Sequence, residues 1–204
     1  MDDVVVLFDG TDQEPDGRTP TNVFNFGKRF TGTVLYEPGI GTWNGAAGWA
    51  ASVLGLGLYE RTNDTLDRLE FYRFSRVSVI GASRGAAQAL SFCWRYEQRY
   101  NALVRFCGLY DVVRAYGSGA LRRGLLPRNL WRGGRVKHER PPAEVVVHAM
   151  AGREPSRLYS HDIVKDVSAE RTFADLNHGG VLRDGAPGAW LEGHAKKAGL
   201  PMVG

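Results

Sequence analysis

The stretch Val77-Ser78-Val79-Ile80-Gly81-Ala82-Ser83-Arg84-Gly85-Ala86-Ala87 carries the pattern that decides the fold. A short apolar, β-branched run leads into Gly-x-Ser-x-Gly, and small residues that can open a helix follow it. This order is typical of a nucleophile elbow, a sharp strand-to-helix turn that presents one serine. Gly81 and Gly85 would relieve contacts with the neighbouring strand and helix, and a helix N-terminus behind Ser83 would favour developing negative charge. The pattern predicts Ser83 as a nucleophile, and a glycine-rich turn with an idle serine is the alternative.

Length and composition are those of an ordinary globular protein. The chain has 204 residues, enough to bury a full core, and we expect one domain over residues 1–204. No apolar run approaches the roughly 20 residues of a membrane-spanning helix. The first eight residues are acidic and then strand-like, which is not the pattern of a secretory leader. We therefore expect cytoplasmic synthesis, and export without a leader stays open.

Charge and cysteines narrow the choice of partners. The formal net charge is +4, but residues 114–140, here called the basic segment, hold eight Lys or Arg and one acid. The basic segment also contains Leu125, Leu126 and Trp131, so we expect a loop or lid insertion that contacts anionic lipid head groups, with an ordinary solvated loop as the alternative. Cys93 and Cys107 are expected to be buried thiols, and no Cys/His spacing indicates zinc.

Apolar runs alternate with helix-like stretches along the chain. Uninterrupted apolar runs such as Val4 to Phe8 are typical of strands covered on both faces in a parallel sheet. Strands are predicted at 4–8, 33–36, from 77 onward, 103–109, 144–150 and 172–176, and helices at 22–30, 63–74, 84–99 and 190–198. The order predicts an α/β fold with a doubly wound, mostly parallel sheet of about six strands flanked by helices.

Four polar residues follow strands of the predicted sheet. Asp9, Ser83, Asp111 and His178 each lie at or just past the end of a strand, although they are far apart in sequence. Functional sites on doubly wound sheets gather at the carboxyl ends of the strands. We therefore expect all four residues at one edge of the sheet.

A serine hydroxyl needs a base to become a nucleophile. Of the five histidines, only His178 follows a strand end and precedes glycines that would let a loop bring the ring over Ser83. His148 interrupts an apolar run, which is more typical of a core histidine, and His161 lies in a polar loop. His178 is the predicted base, with His148 and His161 as alternatives.

The base needs a carboxylate to orient it. Asp111 ends the strand after the elbow helix and gives the chain order Ser, Asp, His that is typical of α/β-hydrolases. It is the predicted acid. Asp175 is the alternative acid, and a turn-capping role is the alternative reading of Asp111.

The oxyanion of such a reaction needs backbone N–H donors. One is expected from Arg84, the residue after the nucleophile. The other is expected from Gly10 and Thr11, because glycine permits close approach of the backbone. Asp9 is then expected to organise this loop rather than to take part in catalysis.

Several motifs occur together in an order that resembles a particular family. They are Phe8-Asp9-Gly10-Thr11, Thr21-Asn22-Val23, Tyr36-Glu37-Pro38-Gly39-Ile40-Gly41-Thr42, Gly81-Ala82-Ser83-Arg84-Gly85-Ala86 and Gly108-Leu109-Tyr110-Asp111-Val112-Val113. This set resembles the α/β-hydrolase family that contains the type VI secretion phospholipase effectors, and the resemblance covers nearly the whole chain. It implies an α/β-hydrolase fold with Ser83 as nucleophile, Asp111 as acid and His178 as base. The chain departs from the family in having Gly-Ala-Ser-Arg-Gly for Gly-Phe-Ser-Arg-Gly, and in a shortened stretch after the last strand.

The residues and the resemblance together imply a serine esterase or lipase that cleaves carboxylic ester bonds through an acyl-enzyme. We expect a small-molecule or lipid ester substrate, peripheral membrane contact through the basic segment, and no cofactor or metal. Nucleic acid is not expected, because the positive charge is confined to one loop without an RNA-binding motif. An amidase or peptidase on the same three residues, or a catalytically silent binding module, is the alternative.

Overall fold

Six parallel strands form one sheet in the computed structural model, which describes residues 2–10, 20–39, 58–72, 74–113, 139–153 and 163–203. In chain order they are β1 (Asp2–Phe8), β2 (Thr33–Glu37), β3 (Phe74–Ala82), β4 (Val104–Tyr110), β5 (Ala143–Ala151) and β6 (Ala169–Phe173). Across the sheet their order is β2-β1-β3-β4-β5-β6. The predicted doubly wound parallel sheet is confirmed.

Helices cover both faces of this sheet. Those within the described ranges are α1 (Asn22–Arg29), α2 (Leu58–Leu69), α3 (Arg84–Tyr100), α4 (His178–Arg183) and α5 (Gly185–Lys197). Helices α2 and α3 pack into one core cluster, and α1, α4 and α5 pack into a second cluster on the opposite face. Within the described ranges, no helix is long and apolar enough to cross a membrane.

Strand β1 shows why its sequence is apolar without interruption. Val4, Val6 and Phe8 belong to the core cluster on one face, and Val5 and Leu7 belong to the cluster on the other. Each of the five side chains is at most 1% exposed. A strand in the middle of a covered parallel sheet has no solvent face, so no polar residue alternates with the apolar ones.

The edge strand β6 corrects one prediction. It runs from Ala169 to Phe173 rather than over residues 172–176, and among its five residues only Phe173 is buried. Because an edge strand here keeps most of its side chains in solvent, it carries no apolar run that would mark its bounds.

Two helix boundaries also differ from the prediction. Helix α2 covers residues 58–69 rather than 63–74, and α5 begins at Gly185 rather than at Trp190. The side chain of Asp184 caps α5 by accepting a hydrogen bond from the N–H of Ala186. Pro187 is tolerated in the first turn because the N–H groups there have no partner within the helix.

Most of the basic segment lies outside the described residues. Its last residue, Arg140, is described, and its guanidinium donates to the backbone carbonyls of Asp166 and Glu144, each at 2.9 Å. This arginine therefore connects the start of β5 to the segment that precedes β6. Elsewhere in the described chain, Cys93 and Cys107 are buried free thiols, as predicted.

The two glycines of the elbow are required by close packing. A Cβ on Gly81 would lie 2.4 Å from the carbonyl oxygen of Gly85. A Cβ on Gly85 would lie 2.1 Å from the carbonyl oxygen of Phe8 and 2.5 Å from that of Asp9. The start of α3 therefore rests directly on the end of β1, which brings the loop after β1 beside Ser83.

We predict that Gly85→Ala destabilises the protein by about 3 kcal/mol, the upper end of the usual cost of overpacking, because the clash is with backbone atoms of β1 rather than with a flexible side chain. Gly193→Ala is the matched control: it lies inside α5, and nothing lies within 4 Å of the added Cβ. That change should stabilise the protein by about 0.5–1 kcal/mol, since alanine is the better helix former. Urea unfolding of both variants checks the pair, and equal effects would contradict the packing argument.

Candidate active site

Ser83 lies in the turn between β3 and α3 with a strained backbone. Its φ of 55° and ψ of −115° fall in a region that residues with a side chain seldom adopt. Two hydrogen bonds hold it there: its N–H donates to the carbonyl of Tyr110 at 2.8 Å, and its carbonyl accepts from the N–H of Val113 at 3.1 Å. The end of β4 therefore fixes the turn that presents Ser83.

His178 connects Ser83 to Asp111. Its Nε2 lies 2.8 Å from Ser83 Oγ, and its Nδ1 lies 2.5 Å from Asp111 Oδ2. An ionised carboxylate can only accept, so Nδ1 carries a proton and donates it to Asp111. In the neutral ring, Nε2 is then the acceptor for the Ser83 hydroxyl. The three side chains form one continuous chain of hydrogen bonds.

Asp111 is held from three sides at the end of β4. Its backbone has a φ of 45°, and its N–H donates to the carbonyl of Ala149 at 2.7 Å. Oδ1 accepts from the N–H of Ala151 at 2.9 Å, while Oδ2 faces His178. Because the residue is fully buried, these contacts from β5 fix the direction in which the carboxylate points.

The alternative residues are placed elsewhere. The ring of His148 is buried in β5, and its Nε2 accepts from the N–H of Val112 at 3.4 Å, so it supports the turn after Asp111. Asp175 is exposed in the turn after β6, and the carboxylate that contacts His178 is that of Asp111. His161 lies outside the described residues.

The segment around His178 differs from the predicted glycine loop. His178 is the first residue of the short helix α4, and the side chain of Asn177 caps that helix by accepting from the N–H of Gly180 at 2.9 Å. The asparagine before His-Gly-Gly was the signal for this helix. His178 is therefore fixed by a helix start rather than by a loop.

Two of the three residues predicted to supply oxyanion donors, Arg84 and Gly10, lie within the described residues. Arg84 opens α3 directly after Ser83, where the backbone donors of a helix N-terminus gather. Gly10 follows the end of β1, and its N–H donates to Asp9 Oδ1 at 2.7 Å. Thr11 lies outside the described residues. In the described part of the chain, no group of three or more His, Cys, Asp or Glu side chains is arranged to hold a metal ion.

Asp9 is a buried carboxylate beside this chain of hydrogen bonds, not within it. Its Oδ2 accepts from the hydroxyls of Thr21 at 2.6 Å and Tyr36 at 2.7 Å. Burial raises the pKa of Asp9, an effect that these two hydrogen bonds and the one from Gly10 partly offset. The carboxylate joins the ends of β1 and β2 to the start of α1. No local pattern in the sequence indicates the contacts of Thr21 and Tyr36 with Asp9, because these residues are 12 and 27 positions away from it.

Comparison with known proteins gives a fold. No protein-family model matches the sequence, and no curated protein matches it either. Among solved structures, the chain is similar to one from work on LipS and LipT, two metagenome-derived lipolytic enzymes, with a TM-score of 0.64 and 12% identity over 96% of this chain and 93% of that one. It is also similar to RedJ, a thioesterase from the prodiginine biosynthetic pathway of Streptomyces coelicolor, with a TM-score of 0.52 and 16% identity over 95% of this chain and 89% of that one.

A third similar structure is an uncharacterized protein from Pseudomonas aeruginosa, with a TM-score of 0.63 and 15% identity. The match covers 98% of this chain and 46% of that protein, so this chain spans about half of its length. The structural neighbours have the α/β-hydrolase fold, and the fold class predicted from the sequence is confirmed.

We predict that Asp9→Asn gains stability relative to the unaltered protein as the pH rises from about 4 to 7. A carboxyl whose pKa is raised by folding contributes most to the free energy of unfolding when the pH is below its pKa in the unfolded chain, near 3.9. That contribution is lost as the pH rises through the pKa of the folded protein. Asparagine does not titrate, so the difference between the two proteins isolates Asp9. Urea unfolding at several pH values measures it, and a difference that is constant or moves the other way would contradict the effect of burial.

Proposed function

We propose that the protein is a serine hydrolase that cleaves carboxylic ester bonds through an acyl-enzyme. Ser83 is the proposed nucleophile, His178 the base and Asp111 the acid that orients it. The observation that carries this proposal is the continuous hydrogen-bonded chain from Ser83 Oγ through the imidazole to Asp111 Oδ2. Its chain order, Ser, Asp, His, is the one that α/β-hydrolases use.

The proposed reaction follows from the positions of these atoms. His178 Nε2 takes the hydroxyl proton as Ser83 Oγ bonds to the carbonyl carbon of the ester. Asp111 stabilises the resulting imidazolium through Nδ1–H. As the tetrahedral intermediate collapses, the bond to the alkoxide breaks and the imidazolium gives its proton to that oxygen, so the alcohol departs and the acyl group stays on Ser83 Oγ as the acyl-enzyme. Water then attacks the acyl group, with the same ring as base, and releases the carboxylic acid and Ser83.

The tetrahedral intermediate of each step carries a negative oxygen that needs donors. The N–H of Arg84 is the proposed first donor, because it belongs to the helix N-terminus directly behind Ser83. For Gly10 and Thr11 the same role stays a prediction from the sequence. In the structure, the N–H of Gly10 donates to the carboxylate of Asp9.

Lipid or phospholipid esters are the proposed substrates. Three observations support this class: the motifs that resemble the type VI secretion phospholipase effectors, the likeness to a lipolytic enzyme, and a basic segment with Leu and Trp among its arginines. Peripheral contact of the basic segment with a membrane surface is proposed on the same grounds. The likeness to RedJ makes acyl thioesters the class to compare with oxygen esters.

We predict that Ser83→Ala abolishes both turnover and labelling by a fluorophosphonate probe, while the protein stays folded. The assay compares acyl esters of increasing chain length, a phospholipid, an acyl thioester and an acyl amide. Ser75→Ala, on the same strand but hydrogen-bonded to Asp3, is the control and should keep both signals. Labelling of the Ser83→Ala protein would contradict the nucleophile assignment, and preference for the amide would favour the amidase alternative.

We also predict that Asp111→Asn lowers kcat by about 10⁴-fold with little change in KM, as for the acid of the best-studied triad. The asparagine keeps the shape of the side chain but removes the charge that stabilises the imidazolium. Asp175→Asn, at the exposed alternative position, should leave kcat unchanged. A loss of only a few-fold in the Asp111 variant would move the acid to another residue.

A further inference from the structure

The start of α1 contacts both Asp9, at the end of β1, and α4, the helix that carries His178. Thr21 is the N-cap of α1: its hydroxyl accepts from the N–H of Phe24 at 3.1 Å and donates to Asp9 Oδ2 at 2.6 Å. Asn22 follows it and is also buried, but its side chain reaches in a different direction, toward the helix that carries His178.

The amide of Asn22 binds the end of α4. Its Nδ2 donates to the carbonyls of Val181 and Asp184, each at 2.9 Å. Carbonyls at the C-terminus of a helix have no partner within the helix, so a side chain that binds two of them fixes that end. These partners are 159 and 162 residues away in the sequence.

The other side of the same amide is packed against α5. A Cβ on Gly188 would lie 2.7 Å from Asn22 Oδ1, so α5 can come this close only because position 188 is glycine. The amide is therefore held between α4 and α5, with its donors toward α4. Its position is set by packing as well as by hydrogen bonds.

We infer that Asn22 is a positioning residue for His178, an inference that rests on the function proposed above. Helix α4 has six residues, too few to hold a direction by its own hydrogen bonds. Asn177 fixes its first turn and Asn22 fixes its end. Because His178 is the first residue of this short rigid unit, Asn22 sets the angle at which the imidazole meets both Ser83 and Asp111.

The experiment uses two variants that disturb the amide in different ways. Asn22→Ala removes the donors, and Gly188→Ala keeps Asn22 but pushes its Oδ1 away from α5. A small displacement of a catalytic group costs up to about 100-fold in rate. We expect kcat to fall at least about 10-fold in Asn22→Ala, and in the same direction in Gly188→Ala, with KM changed by less than about twofold.

Arg29→Met is the matched control. Arg29 lies at the far end of α1 and binds Glu192 of α5 at 2.8 Å, so its replacement loosens the packing of α1 on α5 without touching α4. It should leave kcat unchanged. If Arg29→Met and Asn22→Ala lowered kcat equally, or if kcat of Asn22→Ala followed only its unfolded fraction, the inference would be overturned.

A second measurement does not depend on turnover. In the Ser83→Ala background, proton NMR should show a downfield Nδ1–H signal of His178, identified by its loss in Asp111→Asn. Asn22→Ala and Gly188→Ala should move this signal upfield or speed its exchange, and Arg29→Met should not. A signal that is unchanged in the folded variants overturns the inference. If Asn22→Ala does not fold, Gly188→Ala alone decides, because it retains the asparagine and only displaces it. If the unaltered protein shows no turnover or labelling, the proposed function fails, and the NMR comparison still decides the position of His178.

Discussion

The strained backbone of Ser83 is the constraint on which the rest of the site depends. A residue with a side chain in this conformation costs about 1–3 kcal/mol, so neighbouring structure must hold it. Two hydrogen bonds to Tyr110 and Val113 do so, and Gly85 lets α3 rest on β1 where any Cβ would clash. Since the partners that hold the serine flank Asp111 in the chain, the same turn that supports the strain also delivers the carboxylate.

Support for the site extends outward through buried polar contacts. Strand β5 holds Asp111 by the backbone of Ala149 and Ala151, and the ring of His148 holds the next peptide. On the other side, Asn22 connects α1 to the helix of His178. A buried polar group left without a partner costs free energy. Each of these contacts therefore favours the observed arrangement of the site over arrangements in which the contact is broken.

The parts that sequence predicted are those with a local pattern. Strands such as β1 are apolar on both faces, and the glycines around Ser83 announce a turn that bulkier residues would block. The edge strand β6 has only Phe173 buried and so gave wrong bounds. The start of α4 is not predicted because the two glycines after His178 indicate a loop, whereas the asparagine before it, which caps the helix, is a weaker signal. The contact of Asn22 with Val181 cannot be predicted from the sequence, because the two residues are 159 positions apart and no local pattern indicates that they meet.

The sheet order has a consequence for the nascent chain. Strand β3 pairs with β1, and from β4 to β6 each new strand adds to the edge formed by the one before it, so these strands can assemble in the order in which the ribosome makes them. Ser83 and Asp111 are both present once β4 and its turn have emerged. His178 comes 67 residues after Asp111, and its helix packs back on α1, which is made before β3 and β4. Translation therefore makes the proposed nucleophile and acid before the proposed base, and the hydrogen-bonded chain of the candidate site can close only when the last helices have been made.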